Sequence, residues 1–312
     1  MIELLTGMLT TAVIAGGVLA LAGMGELLTE RVGVFNLGLE GLMSLGAVGA
    51  VIVVNAGYSP AAAVAVVMAL GLVLGAIFAL GTVALRADQV LCGIALTFLG
   101  VGFAAWIGRP YSGQIVHTQF APIAIPFLSD LPIIGKAFFQ QNILVYFGYV
   151  ALPLLVHLLF FHTRHGINLR AVGENPAAAD AAGVSVQMIR FGYVMVGSAL
   201  AACAGAYLTL AFVPAWTEGL VAGRGWIALG LVTFANFMPL QVTLGAILFG
   251  TLSSFGFAAQ ANGWPVPSVV FTIMPYVGTV AFLFIRALSQ RGSHRLIMGP
   301  AALGHPYFRD ER

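Results

Sequence analysis

Charge is scarce in this chain. Asp and Glu number 11 and Lys and Arg 13 among 312 residues, 8% of the total, where a soluble globular domain carries roughly 25%. Hydrophobic residues make up 60% and the mean hydropathy is +1.00. A chain this apolar belongs in a lipid bilayer. No run of basic residues occurs, so nucleic acid is excluded as a partner. There are only two cysteines, Cys92 and Cys203, each inside an apolar run. They read as small core residues, which excludes a disulfide framework and a thiolate metal site. The N-terminal stretch MIELLTGMLT has no basic residue. It therefore reads as the start of a retained helix rather than a cleaved leader.

The chain is rich in glycine, with 39 residues, as expected where transmembrane helices approach closely. Gly71 and Gly75, four apart, are one candidate contact. A spanning helix needs about 20 apolar residues. Runs of that kind lie at 7–25, 34–55, 60–85, 90–108, 143–162, 189–213, 219–237, 240–259 and 266–285, predicting about nine spans by this length criterion. The fold class expected is all-α and polytopic, with a second helix broken near its start and a short cytoplasmic helix. Residues 1–289 form the membrane domain, with a polar region at 163–190, and 290–312 form an irregular tail.

Orientation follows from the basic residues, which favour the cytoplasmic side. Arg31, Arg86, Arg164, Arg170, Arg190 and the tail arginines 286, 291, 295, 309 and 312 fall on one side. Only Arg109, Lys136 and Arg224 fall on the other. This places the N-terminus outside and the C-terminus in the cytoplasm of a bacterial inner membrane. The seventh run has a cleanly apolar part only from Trp226 to Ala235, too short to cross alone. The charge rule still favours a crossing there, carrying Glu218 and Arg224 in its outer part. The outer loop Arg109–Gln141 contains four prolines and two apolar patches, as expected of a short cap or an external docking surface.

The polar region, TRHGINLRAVGENPAAADAAGVSVQMIR, interrupts the apolar pattern. Asn175 before Pro176 is a helix N-cap and first-turn pair, and Gly183 is a stop. One short helix over 175–183 is predicted, with contact to a soluble partner as its purpose.

Three further segments carry polar groups into apolar runs. Asn36 and Glu40 stand where Gly33, Gly38 and Gly41 loosen the chain. They either face a solute cavity or mark a helix start where acid favours the dipole. Glu30 and Arg31 read as an interfacial ion pair. Gln89 and Thr97 hydrogen-bond either a polar solute or a neighbouring backbone. Arg224 and Trp226 either clamp a flat solute through cation–π contact or belong to the outer aromatic belt with a snorkelling arginine. His162 and His165 lack a third metal ligand. Gly135-Lys136 lacks the flanking residues of a phosphate loop. No nucleophile–base pair is present, so no catalytic or metal site is expected.

Three blocks, ERVGVFNLGLEGLMSLGA (30–47), GENPAAADAAGV (173–184) and GRGWIALGL (223–231), resemble the permease subunits of ABC importers in the ribose/branched-chain amino-acid superfamily. The resemblance is closest to the second permease of nucleoside (guanosine) importers that work with a basic-membrane-protein-type binding lipoprotein. It extends over nearly the whole chain. It implies a permease with no cofactor of its own and no enzymatic activity, driven by ATP and Mg on a separate cytoplasmic ATPase. It further implies a paralogous permease subunit and an external solute-binding protein. The solute would be a nucleoside or related purine or pyrimidine, moved by alternating access past Asn36, Glu40, Gln89, Thr97, Arg224 and Trp226. Gly173, Glu174, Asn175, Ala178, Ala179 and Gly183 would form the ATPase-coupling helix and its flanks. Glu174→Arg with Asn175→Pro is then expected to abolish transport with folding intact. The chain departs from the family pattern at Thr97, where Asn is common, and at 234–237, Phe-Ala-Asn-Phe, where Phe-Gly-basic-Trp is common. One rival keeps this architecture with a simple sugar as solute. Another is an ion-coupled carrier, against which stands the near absence of ionisable groups in the spans from Val90 to Val213.

Overall fold

A computed structural model describes residues 2–261, 263, 266–289 and 299–309. Parts of the expected tail, 290–298 and 310–312, lie outside the described residues. Most of the described residues are helical. Its first half runs α1 (Ile2–Arg31), α2 (Leu39–Asn55), α3 (Pro60–Ala79) and α4 (Gln89–Gly108). An outer lobe follows, holding β1 (Pro122–Ala124), α5 (Ile134–Phe139) and β2 (Gln140–Asn142), and the two short strands pair antiparallel. The second half runs α6 (Ile143–Tyr146), α7 (Leu152–His162), α8 (Arg164–Glu174), α9 (Pro176–Ala181), α10 (Val186–Tyr207), α11 (Arg224–Phe234), α12 (Pro239–Ala261) and α13 (Ser268–Ser289). Single π-helical turns extend α3 and α10 and join α6 to α7.

Among the described residues, six helices are long and apolar enough to cross a bilayer: Leu5–Arg31, Pro60–Ala84, Gln89–Tyr111, Ile143–His162, Val186–Phe212 and Pro239–Gln260. Each corresponds to an expected run. The expected runs at 34–55 and 219–237 give shorter helices, of 17 and 11 residues. At 1.5 Å per residue, α11 is roughly 16 Å long, about half of a bilayer's apolar thickness.

Local chemistry sets the helix starts. The Ser59 hydroxyl accepts the Ala62 N–H at 3.2 Å with Pro60 in the first turn. Asp88 accepts the Leu91 N–H at 2.8 Å, and Asn142 accepts those of Leu144 and Val145.

α1 and α10 form the centre. α1 packs on α10, α11 and α12, and α10 packs on α1, α2 and α3. Glycine makes this closeness possible. A Cβ on Gly46 of α2 would overlap the Ala202 carbonyl, and one on Gly205 of α10 would overlap the Met43 carbonyl. Gly71 and Gly75 of α3 both meet α10, at Ala199 and Ser198, so the four-residue spacing marks a real contact. Lipid tails are as apolar as leucine, so close van der Waals packing holds such helices together. Gly46→Val therefore lowers stability by about 1–3 kcal/mol, the usual cost of overpacking. The check is its thermal unfolding midpoint in detergent. A midpoint equal to wild type would refute the close crossing of α2 and α10.

Candidate functional site

α1 ends at Arg31 and α2 starts at Leu39. The seven residues between them, Val32–Gly38, are not helical, and all but the half-buried Phe35 are buried. Buried backbone away from water needs a partner for its N–H and C=O groups. The polar side chains supply many of them. The Phe35 N–H donates to Gln89 Oε1 at 2.8 Å, the Asn36 N–H to Glu26 Oε1 at 3.0 Å and the Gly38 N–H to Asn36 Oδ1 at 2.9 Å. Thr97 Oγ1 donates to the Leu37 carbonyl at 2.7 Å and Arg190 Nε to the Val32 carbonyl at 3.0 Å.

Asn36, Gln89 and Thr97 are therefore brought together, and each is engaged with backbone. Of the two roles open to Gln89 and Thr97, bonding a neighbouring backbone is the one observed. Asn36 Nδ2 also lies 3.5 Å from the Ser198 hydroxyl of α10.

Glu40, in the first turn of α2, reaches across to α11. Its two carboxylate oxygens accept the Gly223 N–H at 2.7 Å and the Gly225 N–H at 2.8 Å. The first N–H groups of a helix have no intrahelical partner and attract negative charge, so Glu40 caps α11 from another helix. Gly223 has φ +78°, and a Cβ on Gly225 would press on the Glu40 backbone. The Gly-Arg-Gly sequence is the local condition for this joint.

Arg224 and Trp226 have different surroundings. Arg224 Nη1 donates to the carbonyls of Leu220 and Val221, and its guanidinium lies over Phe212. Trp226 is 42% exposed. The expected Glu30–Arg31 ion pair is absent too. Glu30 is fully buried one turn from Glu26, while Arg31 turns to the Phe237 carbonyl, at 3.0 Å from Nε and 2.7 Å from Nη2.

Glu26 was not among the sequence candidates. It is 1% exposed and receives both the Asn36 N–H and the Thr29 hydroxyl. The signal was available, since a carboxylate one residue beyond an apolar run is costly to bury and needs a reason.

The polar region forms the short helix expected at 175–183, α9, and before it a second helix, α8, that was not expected. Thr163 caps α8 by accepting the Gly166 N–H at 2.9 Å. Asn175 caps α9 by accepting the Ala178 N–H at 2.9 Å, with Pro176 in its first turn, and Gly183 (φ +84°) follows its end. Glu174, Asn175, Ala177, Ala178, Ala181 and Gly183 are exposed, whereas Gly173 and Ala179 are buried. A Cβ on Gly173 would overlap the Arg31 carbonyl, so this glycine sets α8 against the end of α1.

Residues 8–283 match the family model described as "Branched-chain amino acid transport system / permease component". The chain belongs to this family. TsgC13 of Haloferax volcanii, a provisionally named glucose ABC transporter permease, is 35% identical, covering 97% of this chain and 98% of its own. The nucleoside ABC transporter permease NupC of Lactococcus lactis is 32% identical over 85% and 87%. The guanosine ABC transporter permease NupQ of Bacillus subtilis is 28% identical over 100% and 99%. In fold, the chain is similar to a provisionally named metal-chelate type ABC transporter solved in an inward-facing conformation. That match has a TM-score of 0.53 at 17% identity, covering 89% of this chain and 85% of that one. This family member is thus a multi-pass membrane protein and a permease subunit, and its relatives span both nucleoside and sugar transporters.

Proposed function

We propose that the chain is the translocating subunit of an ATP-driven importer for a nucleoside or related purine or pyrimidine. The observation that carries the reading is the short capped helix α9, whose outer face, Ala177, Ala178 and Ala181, is exposed. A face of small side chains suits insertion into a groove on a cytoplasmic ATPase, which would hold ATP and Mg. In this reading Glu174, Asn175, Ala178 and Gly183 meet the ATPase, and Gly173 and Ala179 seat the helix from behind.

The membrane domain is 1–289, with 290–312 as a cytoplasmic tail and the N-terminus outside. The six long helices, α2, α13 and the stretch 214–234 taken together make nine crossings. Val32–Gly38 is the break at the start of the second. A paralogous permease completes the pathway, with exposed apolar side chains of α3 and α4 such as Ile77, Phe98 and Trp106 facing it or lipid. An external binding protein delivers the solute. Asn36, Glu40, Gln89 and Thr97 frame the pathway by holding its irregular backbone, and Trp226 supplies an exposed aromatic face. ATP-driven closure of the ATPase pair moves α8 and α9, and the two permease halves rock.

A simple sugar is the second reading, favoured by the 35% identity to TsgC13 over nearly the full chain. Nucleoside permeases match over comparable lengths. Uptake into proteoliposomes containing the complete complex decides, with labelled purine nucleoside and labelled glucose in parallel. Nucleoside uptake that stops without ATP is the expected result. Glucose uptake alone would move the solute to sugars. Uptake of either without ATP would overturn the importer reading.

A further inference from the structure

Residues 299–309 lie as a strap across the α1–α2 segment, the α3–α4 turn and the α8–α9 region. The Ala302 N–H donates to the Gly173 carbonyl at 2.9 Å, and the Gly304 N–H donates to the Gly33 carbonyl at 3.3 Å. Arg190 uses Nε on the Val32 carbonyl and Nη1 on the His305 carbonyl, both at 3.0 Å, and so joins α10, the α1–α2 segment and the strap at one point. The Ala301 N–H reaches Glu174 Oε2 at 3.3 Å. Further along, Arg86 of the α3–α4 turn lies over the Phe308 ring at 4.9 Å, and Arg309 Nε meets Asp180 Oδ2 of α9 at 3.1 Å. At the other end Gly299 rests on the Phe237 ring beyond α11.

The two ends of this strap differ. Pro300 and Ala302 are buried, and backbone hydrogen bonds hold them. Arg309 has 70% of its side chain exposed, and an ion pair so exposed to water holds the strap only weakly. The anchor is therefore the inner end, where residues two apart, 302 and 304, touch the root of the docking helix at Gly173 and the buried extended segment at Gly33. A turn closes between them, with Leu303 N–H on the Pro300 carbonyl at 2.9 Å and His305 N–H on the Ala302 carbonyl at 3.2 Å.

We propose that residues 299–309 are a brace. They keep the α8–α9 root in fixed register with Val32–Gly38, so that displacement of α9 moves the joint between α1 and α2 instead of being absorbed in the loops. The inference rests on the reading of α9 as the ATPase dock. Ala302, Gly304 and Arg190 are positioning residues in it, since they touch neither ATPase nor solute.

The test is Ala302→Pro, which removes the N–H bound to Gly173, in the assembled complex. The ATPase still co-purifies and still hydrolyses ATP, but ATP-driven uptake falls at least tenfold. Uptake within twofold of wild type would overturn the brace. So would loss of ATPase association, because the strap would then be part of the dock. Ala178→Arg on the exposed face of α9 separates the two ideas. If that variant binds the ATPase and transports normally, the docking reading itself fails, whatever Ala302→Pro does.

A second arm does not depend on Ala302→Pro folding. Arg86→Cys and Phe308→Cys, in a chain also carrying Cys92→Ala and Cys203→Ala, are joined by a reducible bifunctional thiol reagent. A brace that stays in place keeps uptake within twofold of the same protein before cross-linking. Loss of uptake that a reductant restores would show that the strap must leave during transport, and would overturn the proposal.

Discussion

Glu40→Ala lowers the stability of the folded chain by about 3–6 kcal/mol, following from two charge-assisted hydrogen bonds at about 1.5–3 kcal/mol each. Glu40 is 9% exposed, and its two oxygens are the partners of the Gly223 and Gly225 N–H groups. Alanine leaves both donors without an acceptor at the start of an 11-residue helix, where the dipole also favours the lost charge. The measurement is the thermal unfolding midpoint in detergent, with Glu40→Gln beside it. Glutamine has one acceptor oxygen, so it retains one of the two bonds and falls between alanine and wild type. Uptake follows stability if the residue acts by fixing α11. A Glu40→Gln protein as stable as wild type but inactive in uptake would show instead that the carboxylate charge acts on the solute.

Much of the helical framework was legible because lipid imposes a length and an apolar composition on every crossing. Pro60–Ala84, Ile143–His162 and Pro239–Gln260 announce themselves as unbroken runs. The cap at Asn175 and the stop at Gly183 were legible too, since each depends on neighbours within four residues.

The pairing across the fold was not legible. Gln89 bonds Phe35, Thr97 bonds Leu37 and Glu40 bonds Gly223 and Gly225. Nothing in the spacing of these residues tells a backbone partner from a solute. Glu26 was passed over because the first run was ended one residue before it, although α1 continues to Arg31. α8 has a mixed sequence, RHGINLRAVGE, whose helicity comes from the Thr163 cap and from Gly166 and Gly173 set closely against the Leu159 and Arg31 carbonyls. The strap at 299–309 has no regular structure, so only tertiary hydrogen bonds reveal it.

Ala178→Arg reduces ATP-driven uptake at least tenfold while leaving the unfolding midpoint close to wild type. Ala178 is exposed on α9, and substitutions at such positions change stability by less than about 0.5 kcal/mol. A guanidinium in place of a methyl group, however, holds any groove on the partner away from the helix. The neighbouring Ala179 is 3% exposed. Ala179→Arg therefore fails differently, by unfolding the α8–α9 region, and the contrast locates the docking face.

The substitution Asn175→Pro is a poor probe of the same idea. Asn175 has φ −147°, far from the value of about −65° that proline requires. Its N–H also donates to the Ala171 carbonyl at 2.8 Å and its side chain caps α9. Proline would break the helix junction, so the expectation that folding survives it does not hold. With Ala178→Arg, co-purification of the ATPase is the direct readout. Retained association and normal uptake would remove α9 from the interface, whereas lost association with an unchanged midpoint assigns it there.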